Sequence, residues 1–257
     1  MVTGFLTGSP GSPIGHRVPG RDSLLANPAS AWLGAVSVTD DAADLLPPEA
    51  GLALAWSGSK VRGRLSMALQ LDRRLARIVA RTTEPMLGQM RLAWWRDALC
   101  KPVADRPRGD SVLDGLGVHW EGRERALIEL VNAWEVLVTA EQLGPDEIET
   151  FAAGRGAFFA ALAGDGAEND LSARLFAAGR RWALADAASG VSKDTERAAL
   201  VAAGLAATDR AGRLPRELRG VAVLEALALR GLNRGGRPLM EGRGAPLAVL
   251  RAAIFSA

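Results

Sequence analysis

The segment from Glu84 to Leu99 constrains the fold more than any other part of the chain. Thr82 or Thr83 can cap a helix, and Glu84 suits the positive first turn. Pro85 is tolerated there because the first helical N–H groups have no intrahelical partner. At about 100° per residue, one wide arc collects the large apolar side chains Leu87, Met90, Leu92, Trp94, Trp95, Ala98 and Leu99. The segment therefore predicts a helix whose apolar arc faces a core.

Charged residues fall inside this arc. Glu84 and Arg91 lie near its middle, and Asp72 lies in the apolar arc of the preceding predicted helix, 62–81. Because an isolated buried charge is costly, we expect Glu84, Arg91 and Asp72 to form a hydrogen-bonded network. Trp95, one turn from Arg91, is expected to stack on its guanidinium. An ion-pair clamp between two helices is one interpretation of this cluster, and contact with a ligand is the other.

Composition and periodicity favour an all-α chain. The 257 residues are rich in Ala, Leu, Gly and Arg, lack Tyr and contain few β-branched residues. Helices are predicted at 62–81, 84–99, 121–141, 146–163, 170–189, 193–207, 215–232 and 245–255, with a loop at 101–117. Residues 1–27, rich in Gly, Pro and Ser, are predicted to be a disordered leader, and 28–257 a single helical domain.

Several classes of protein and site are disfavoured by composition. A single cysteine, Cys100, excludes an internal disulfide and a Cys-based zinc site. With only His16 and His119, a His-rich metal site or a Ser-His-Asp triad is not expected. No uncharged run is apolar enough to span a bilayer, and the N-terminus lacks a basic region followed by an apolar core. The expected location is therefore cytoplasmic.

Arginines accumulate toward the C-terminus. From Arg210 to Ala257, nine Arg stand against three Glu, a local balance of +6. Such a surface, with Arg213, Arg216 and Arg219, could bind an anionic inner-membrane surface peripherally, an acidic protein partner or a diphosphate. A solvated basic helix face is the alternative. No nucleic acid is expected as a partner, because no recognition motif or aromatic-basic interleaving accompanies the arginines.

Asp40, Asp41 and Asp44 match the pattern DDxxD, in which carboxylates one helical turn apart share Mg²⁺ ions with a prenyl diphosphate. The following Pro47 and Pro48 leave at most a short turn to hold these acids. Five-residue acidic matches are also frequent by chance, so these residues are a weak metal-site candidate.

Two sequence runs between residues 68 and 99 carry a recognisable pattern. Residues 75–78 read Leu-Ala-Arg-Ile, and residues 84–99 read Glu-Pro-Met-Leu-Gly-Gln-Met-Arg-Leu-Ala-Trp-Trp-Arg-Asp-Ala-Leu. Together they resemble the squalene/phytoene synthase family, most of all its divergent bacterial members and the related mitochondrial complex I assembly factor. The resemblance implies an isoprenoid synthase fold over about 45–255, an all-α bundle around a central cavity. In active members, two aspartate-rich motifs hold Mg²⁺ ions that neutralise the departing diphosphate.

Most of the acids that this resemblance implies are missing. After Asp72, where the first motif should follow, residues 76–80 read Ala-Arg-Ile-Val-Ala. In the helix of the second motif, Asp186 has no carboxylate three or four residues away, and beside Asn132 only Glu135 is ionisable. One carboxylate per helix cannot hold a trinuclear magnesium site without a severe loss of affinity. The likeness of fold therefore does not carry the activity with it.

Three functions follow as hypotheses. The leading one is a divergent, non-catalytic squalene/phytoene synthase-like protein that needs no cofactor and binds an isoprenoid, another lipid-like ligand or a protein partner. The alternative is an active prenyltransferase of isoprenoid, carotenoid or hopanoid biosynthesis that condenses prenyl diphosphates with Mg²⁺, using Asp40, Asp41, Asp44 and Asp186. The third is an interaction-only protein whose basic C-terminal region docks on a respiratory-complex assembly intermediate or the inner membrane. The predicted site comprises Asp72, Glu84, Arg91, Trp95, Asn132, Glu135 and Asp186.

Overall fold

The computed structural model describes Met1 and residues 46–164, 167–206 and 212–255, and within these ranges all regular structure is helical. The all-α prediction is confirmed. The α-helices are α1 (Pro48–Ala55), α2 (Ser59–Arg81), α3 (Pro85–Cys100), α4 (Ser111–His119), α5 (Glu124–Thr139), α6 (Pro145–Ala161), α7 (Asn169–Gly190), α8 (Asp194–Ala206), α9 (Arg219–Asn233) and α10 (Ala245–Phe255). Short 3₁₀ turns cover Val103–Asp105 and Arg216–Leu218. Within the same ranges, no helix combines the length and apolar character that a membrane span requires. The predicted leader at 1–27, apart from Met1, and the acidic pattern at 40–44 lie outside the described residues.

Helix α7 lies at the centre of the bundle. It packs against α6, α8 and α9, and every residue from Arg181 to Ala185 is buried. A stretch of helix that is buried on all sides has no face to present to solvent, which fits a central position for this part of α7. Helix α6 packs in turn on α5, and α5 contacts α2 and α3. Helices α2, α6 and α7 thereby meet in the interior.

Glycines allow the closest approaches between these helices. A Cβ atom on Gly154 of α6 would lie 2.5 Å from the carbonyl oxygen of Glu129 in α5. A Cβ on Gly220 of α9 would lie only 2.1 Å from the carbonyl oxygen of Ala53 in α1. Backbone therefore packs directly on backbone where α5 meets α6 and where α1 meets α9.

Two helices of the structure were not predicted. Helix α1 begins at Pro48, because proline suits the first helical position as well as it suits a turn. Helix α4 begins after Asp110, whose carboxylate accepts hydrogen bonds from the amides of Val112 and Leu113 at 2.9 and 3.0 Å. The predicted loop at 101–117 is therefore wrong from Ser111 onward.

Helix α3 has nearly the predicted bounds but presents a different face to the core. The side chains of Met86, Leu87, Met90 and Trp94 are 71, 46, 63 and 44% exposed, so the prediction that Leu87, Met90 and Trp94 face the core is wrong. The buried residues are Gly88, Leu92, Trp95, Ala98 and Leu99. Large apolar side chains surround this helix, and periodicity alone could not choose its inner side. The side with Gly88 faces inward because glycine lets α3 approach α5 closely: a Cβ atom on Gly88 would already lie 3.1 Å from Cγ1 of Val138.

Candidate functional site

Asp72 of α2 carries a carboxylate into the interior. It is 0% exposed, as the sequence predicts, and its neighbours one turn away, Ala68, Leu69, Leu75 and Ala76, are buried with it. A carboxylate in such a place needs protein donors, because water does not reach it. The indole Nε1 of Trp134 in α5 donates one hydrogen bond to Asp72 Oδ1 at 2.9 Å.

Arg155 of α6 supplies the main partner. Its Nε donates to Asp72 Oδ1 at 2.8 Å and its Nη2 to Asp72 Oδ2 at 2.7 Å, a two-pronged pairing of guanidinium and carboxylate. The same Nη2 also donates to Oδ2 of Asp186 in α7 at 2.8 Å. Nη1 donates to the carbonyl oxygen of Ala183 at 3.2 Å. One arginine thus joins α2, α6 and α7.

Aromatic rings enclose the guanidinium of Arg155. Its central carbon lies 4.4 Å from the ring centre of Trp182, 5.0 Å from that of Trp134 and 5.2 Å from that of Phe151. Rings at these distances attract a cation through their negative faces, and they also exclude water. The side chain of Arg155 is itself fully buried. The space between Asp72 and Asp186 is therefore filled by Arg155.

The charges of this group perturb one another. Burial alone would raise the pKa of the Asp186 carboxyl, but the positive charges of Arg155 and Arg73 outweigh it and lower that pKa below its usual value. Burial likewise works to lower the pKa of Arg155, and the charges of Asp72 and Asp186 raise it above its usual value. Arg155 and Asp186 are therefore both charged at neutral pH.

The network continues from Asp186 toward the surface. The side chain of Asp186 is 18% exposed, and its Oδ1 lies 3.9 Å from Nη1 of the more exposed Arg73. The charge of Asp186 also acts on Glu49, at the start of α1. Burial is the main cause that raises the pKa of Glu49, and the charge of Asp186 adds to it, whereas a backbone hydrogen bond and Arg73 lower it. The charged path therefore runs from buried Asp72 through Arg155 and Asp186 to a partly open end.

The structure brings together only part of the predicted cluster. Asp72 and Asp186 share Arg155, but Glu84, just before α3, and Arg91, on α3, are exposed. The predicted pairing of Asp72 with Arg91 and Glu84 is therefore wrong, because Gly88 turns another side of α3 toward α5. Trp95 is buried, but it does not stack on Arg91. Its ring packs edge-to-face with the ring of Trp94, with 5.2 Å between the ring centres.

The two predicted residues of α5 lie outside the network. Glu135 forms an ion pair with Arg96 of α3, and Asn132 is half-buried on α5. Glu135 therefore holds α3 against α5 and does not face Asp72.

Sequence analysis missed Arg155 and Trp134 as members of the site. Arg155 is the one charged residue in the run Phe-Ala-Ala-Gly-Arg-Gly-Ala-Phe-Phe at 151–159. Asp72 was identified by its place in an apolar arc, whereas a lone charge among small and aromatic residues is a separate signal of a buried charge, and applied to α6 it would have found Arg155.

A second buried ion cluster joins α7 to α9. Glu225 of α9 is buried and accepts from Nη1 of Arg174 at 2.9 Å and from Nη1 of Arg181 at 2.6 Å. Buried carboxylates held by arginines of another helix therefore occur twice in the described part of this bundle, at Asp72 and at Glu225.

The residues present do not fit the Mg²⁺ ions that the family resemblance implies. In the described ranges, no three His, Cys, Asp or Glu side chains are grouped so as to hold a metal ion. Asp72 and Asp186 direct their oxygens at the Arg155 guanidinium, which is itself a cation. The weak candidates Asp40, Asp41 and Asp44 fall outside those ranges.

Two surface grooves share no lining residue with this network. One, of about 510 Å³, runs along α5, α6 and α7 and is lined by residues that include Arg125, Ala157 and Phe176. The other, of about 520 Å³, lies beside the start of α7 and is lined in part by Arg174 and Arg213. Comparison with known proteins finds no family model, no curated protein and no solved structure that matches this chain.

Proposed function

We propose that this chain is a non-catalytic helical protein with the arrangement of the squalene/phytoene synthases, and that it acts by binding a protein partner. The observation that carries the first half is the bridge that Arg155 makes between Asp72 and Asp186. By the family resemblance, α2 and α7 are the helices whose acids would face each other across a diphosphate site. Here one guanidinium already binds both carboxylates.

The bridge supports loss of catalysis in physical terms. Mg²⁺ requires oxygen ligands at close to octahedral geometry and gives up its water reluctantly. To bind between Asp72 and Asp186, it would have to displace a fully buried guanidinium that makes four hydrogen bonds and lies among three aromatic rings. Without that displacement, a prenyl diphosphate would meet two carboxylates already bound to a guanidinium instead of a cluster of metal ions.

A turnover assay tests this half of the proposal. Farnesyl or geranylgeranyl diphosphate with Mg²⁺ is expected to give no condensed hydrocarbon, while an active synthase of the family gives product under the same conditions. Mg²⁺ is also expected to leave the thermal midpoint unchanged, because a ligand that binds the folded state would raise it. Turnover that disappears in Asp72→Asn or Asp186→Asn would overturn the proposal.

The second half rests on the outer face of α3. Met86, Leu87, Met90 and Trp94 fall within an arc of about 100°, opposite the buried stripe of that helix, and all four are exposed. A contiguous group of large apolar side chains on a water-soluble surface is typical of an interaction site. Trp is enriched among the residues that dominate binding energy, and Met adapts to a partner's shape. This face therefore suits a protein partner.

Site-specific photo-crosslinking in cells tests the α3 face. A photoreactive residue in place of Trp94 is expected to give an adduct of defined mass, and adding Met90→Glu is expected to abolish it. Val118 of α4, which is 78% exposed, is the matched control position and is expected to give none. Equal adducts at both positions, or an adduct that survives Met90→Glu, would contradict a role for this face.

A further inference from the structure

Two arginines at the end of α9 converge on one glycine loop. Arg230 and Arg234 are four residues apart and lie on the same side of the helix. A Cβ atom on Gly242 would lie 3.5 Å from Nη2 of Arg230 and 3.7 Å from Nη2 of Arg234. A Cβ on Gly244 would lie 3.4 Å from Nε of Arg230. Gly242 has a φ of +81°, which suits glycine, so the loop leaves its backbone open beside both guanidiniums.

No carboxylate neutralises this pair in the described part of the chain. Arg230 forms no ion pair there, and its Nη1 is buried without an acceptor. Arg234 donates from Nη1 to the backbone carbonyl of Glu241 at 2.9 Å, not to its carboxylate. Like charges at this spacing repel, and a buried donor without a partner is costly. An anion bound between the two guanidiniums would relieve the repulsion between them.

The next helix adds an exposed apolar face beside these arginines. Leu247, Leu250 and Ile254 of α10 are 69, 49 and 48% exposed and share one side of the helix. The opposite side, with Ala245, Val249, Ala252 and Ala253, is buried, and α10 packs on α9. Helix α10 begins one residue after Gly244, so its first exposed leucine lies close to the arginine pair.

The charge around Arg230, Arg234 and α10 indicates what kind of partner this surface binds. Between residues 230 and 254, five arginines stand against Glu241 as the one acid. Aliphatic side chains flanked by arginines are the features by which a helix lies in the interface of an anionic bilayer, with basic residues drawn to the lipid phosphates. The α3 face, by contrast, carries Met and Trp with Glu84 and Asp97 nearby.

We propose that α10 and the Arg230–Arg234 pair form a peripheral docking surface for an anionic phospholipid bilayer. Leu247, Leu250 and Ile254 enter the boundary between headgroups and acyl chains, and the two guanidiniums bind a lipid phosphate. This surface differs from the one that the sequence suggested at Arg213, Arg216 and Arg219. That group lies before or at the start of α9, whereas Arg230 and Arg234 lie at its end, about 20 Å along the helix.

Vesicle co-sedimentation tests the proposal with the whole chain. Vesicles of phosphatidylcholine and phosphatidylglycerol are expected to bind the wild type, and pure phosphatidylcholine is expected to bind it far less. Arg230→Gln with Arg234→Gln is expected to weaken binding about 30-fold, from the usual contribution of basic residues near an anionic surface. Leu247→Glu with Ile254→Glu, both at exposed positions, is expected to abolish binding while the helical circular dichroism stays unchanged.

The matched control is Arg213→Gln with Arg216→Gln, which removes two exposed arginines before the other end of α9 and is expected to keep most of the binding. Equal binding to both kinds of vesicle, or an equal loss in the control, would overturn the proposal. Inorganic phosphate provides a further arm. If it raises the thermal midpoint of the wild type but not of the Arg230/Arg234 variant, and vesicles do not bind, the arginines hold a free phosphate and the membrane proposal is wrong.

Discussion

Arg155→Met is expected to lower the free energy of unfolding by about 3–5 kcal/mol at pH 7, because it leaves Asp72 buried without its cation and removes the main partner of Asp186. Methionine keeps much of the volume, so lost charge rather than an empty space accounts for most of the effect. Chemical denaturation followed by circular dichroism measures it. Arg73→Met, at the more exposed end of the same network, is the matched control and is expected to cost less than about 1 kcal/mol.

The pH dependence identifies the cause of that loss. In the wild type the pKa of Asp186 is lowered, so its pairing stabilises the fold at neutral pH, and this stabilisation is lost as the pH falls below about 4. In the variant Asp186 lacks the charge of Arg155 that lowers its pKa, so less of this stabilisation is present to be lost in acid. The difference in the free energy of unfolding between the wild type and Arg155→Met is therefore expected to narrow as the pH falls. Adding Asp72→Asn to Arg155→Met is expected to recover part of the stability. A loss of stability in Arg155→Met that depends neither on pH nor on Asp72→Asn would contradict the ion-pair explanation.

Gly220→Ala is expected to cost about 2–3 kcal/mol, because the new methyl group would lie 2.1 Å from both the carbonyl oxygen of Ala53 and Oγ of Ser57. Ser57 Oγ already donates to that carbonyl at 2.8 Å, so the space is closed by backbone and by a hydrogen bond. Helix α9 would have to move away from α1 to admit the alanine. Thermal and denaturant unfolding of the purified variant measure the loss.

Gly51→Ala is the matched control for this prediction. Gly51 lies in α1, one of the two helices that the Gly220 contact joins, but a Cβ there would meet no atom within 4 Å. Alanine favours a helix over glycine by about 0.5–1 kcal/mol, so this variant is expected to be slightly more stable than the wild type. A Gly220→Ala protein as stable as the wild type would show that the contact between α1 and α9 gives way easily.

Local sequence signals were enough for most helices. Proline or an acidic residue at helix starts, and glycine or proline between helices, located α2, α3, α5, α6, α7 and α8 to within a few residues. Helices α1 and α4 were missed because their signals are ambiguous at the local level. Pro48 can end a segment or begin one, and the two glycines of α4 lower its propensity for reasons found elsewhere in the fold. A Cβ on Gly115 would lie 2.2 Å from the sulfur of Met67 in α2.

The two acids of the site could be predicted from the sequence, but their arginine partner could not, for a physical reason. Asp72 and Asp186 could be recognised as inward-facing because each lies on the apolar side of its own helix. Their partner depends on which helices meet, and Arg155 is 83 residues from Asp72 and 31 from Asp186. Arg91 is nearer in sequence and has the right charge, but the orientation of α3 is set by a glycine contact with α5. Periodicity places a residue on a face and cannot say which other helix covers that face.

Arg155 also restricts how the sequence of this protein can change over time. Because one guanidinium serves the carboxylates of both Asp72 and Asp186, replacing Arg155 alone leaves two unmatched carboxylates in the interior. A route from this arginine-filled interior to a metal-filled one would pass through a chain that carries two unmatched carboxylates before any ion can bind. Substitutions on that route would be removed for poor folding before any activity could be selected, so Arg155 is expected to vary only together with Asp72 and Asp186.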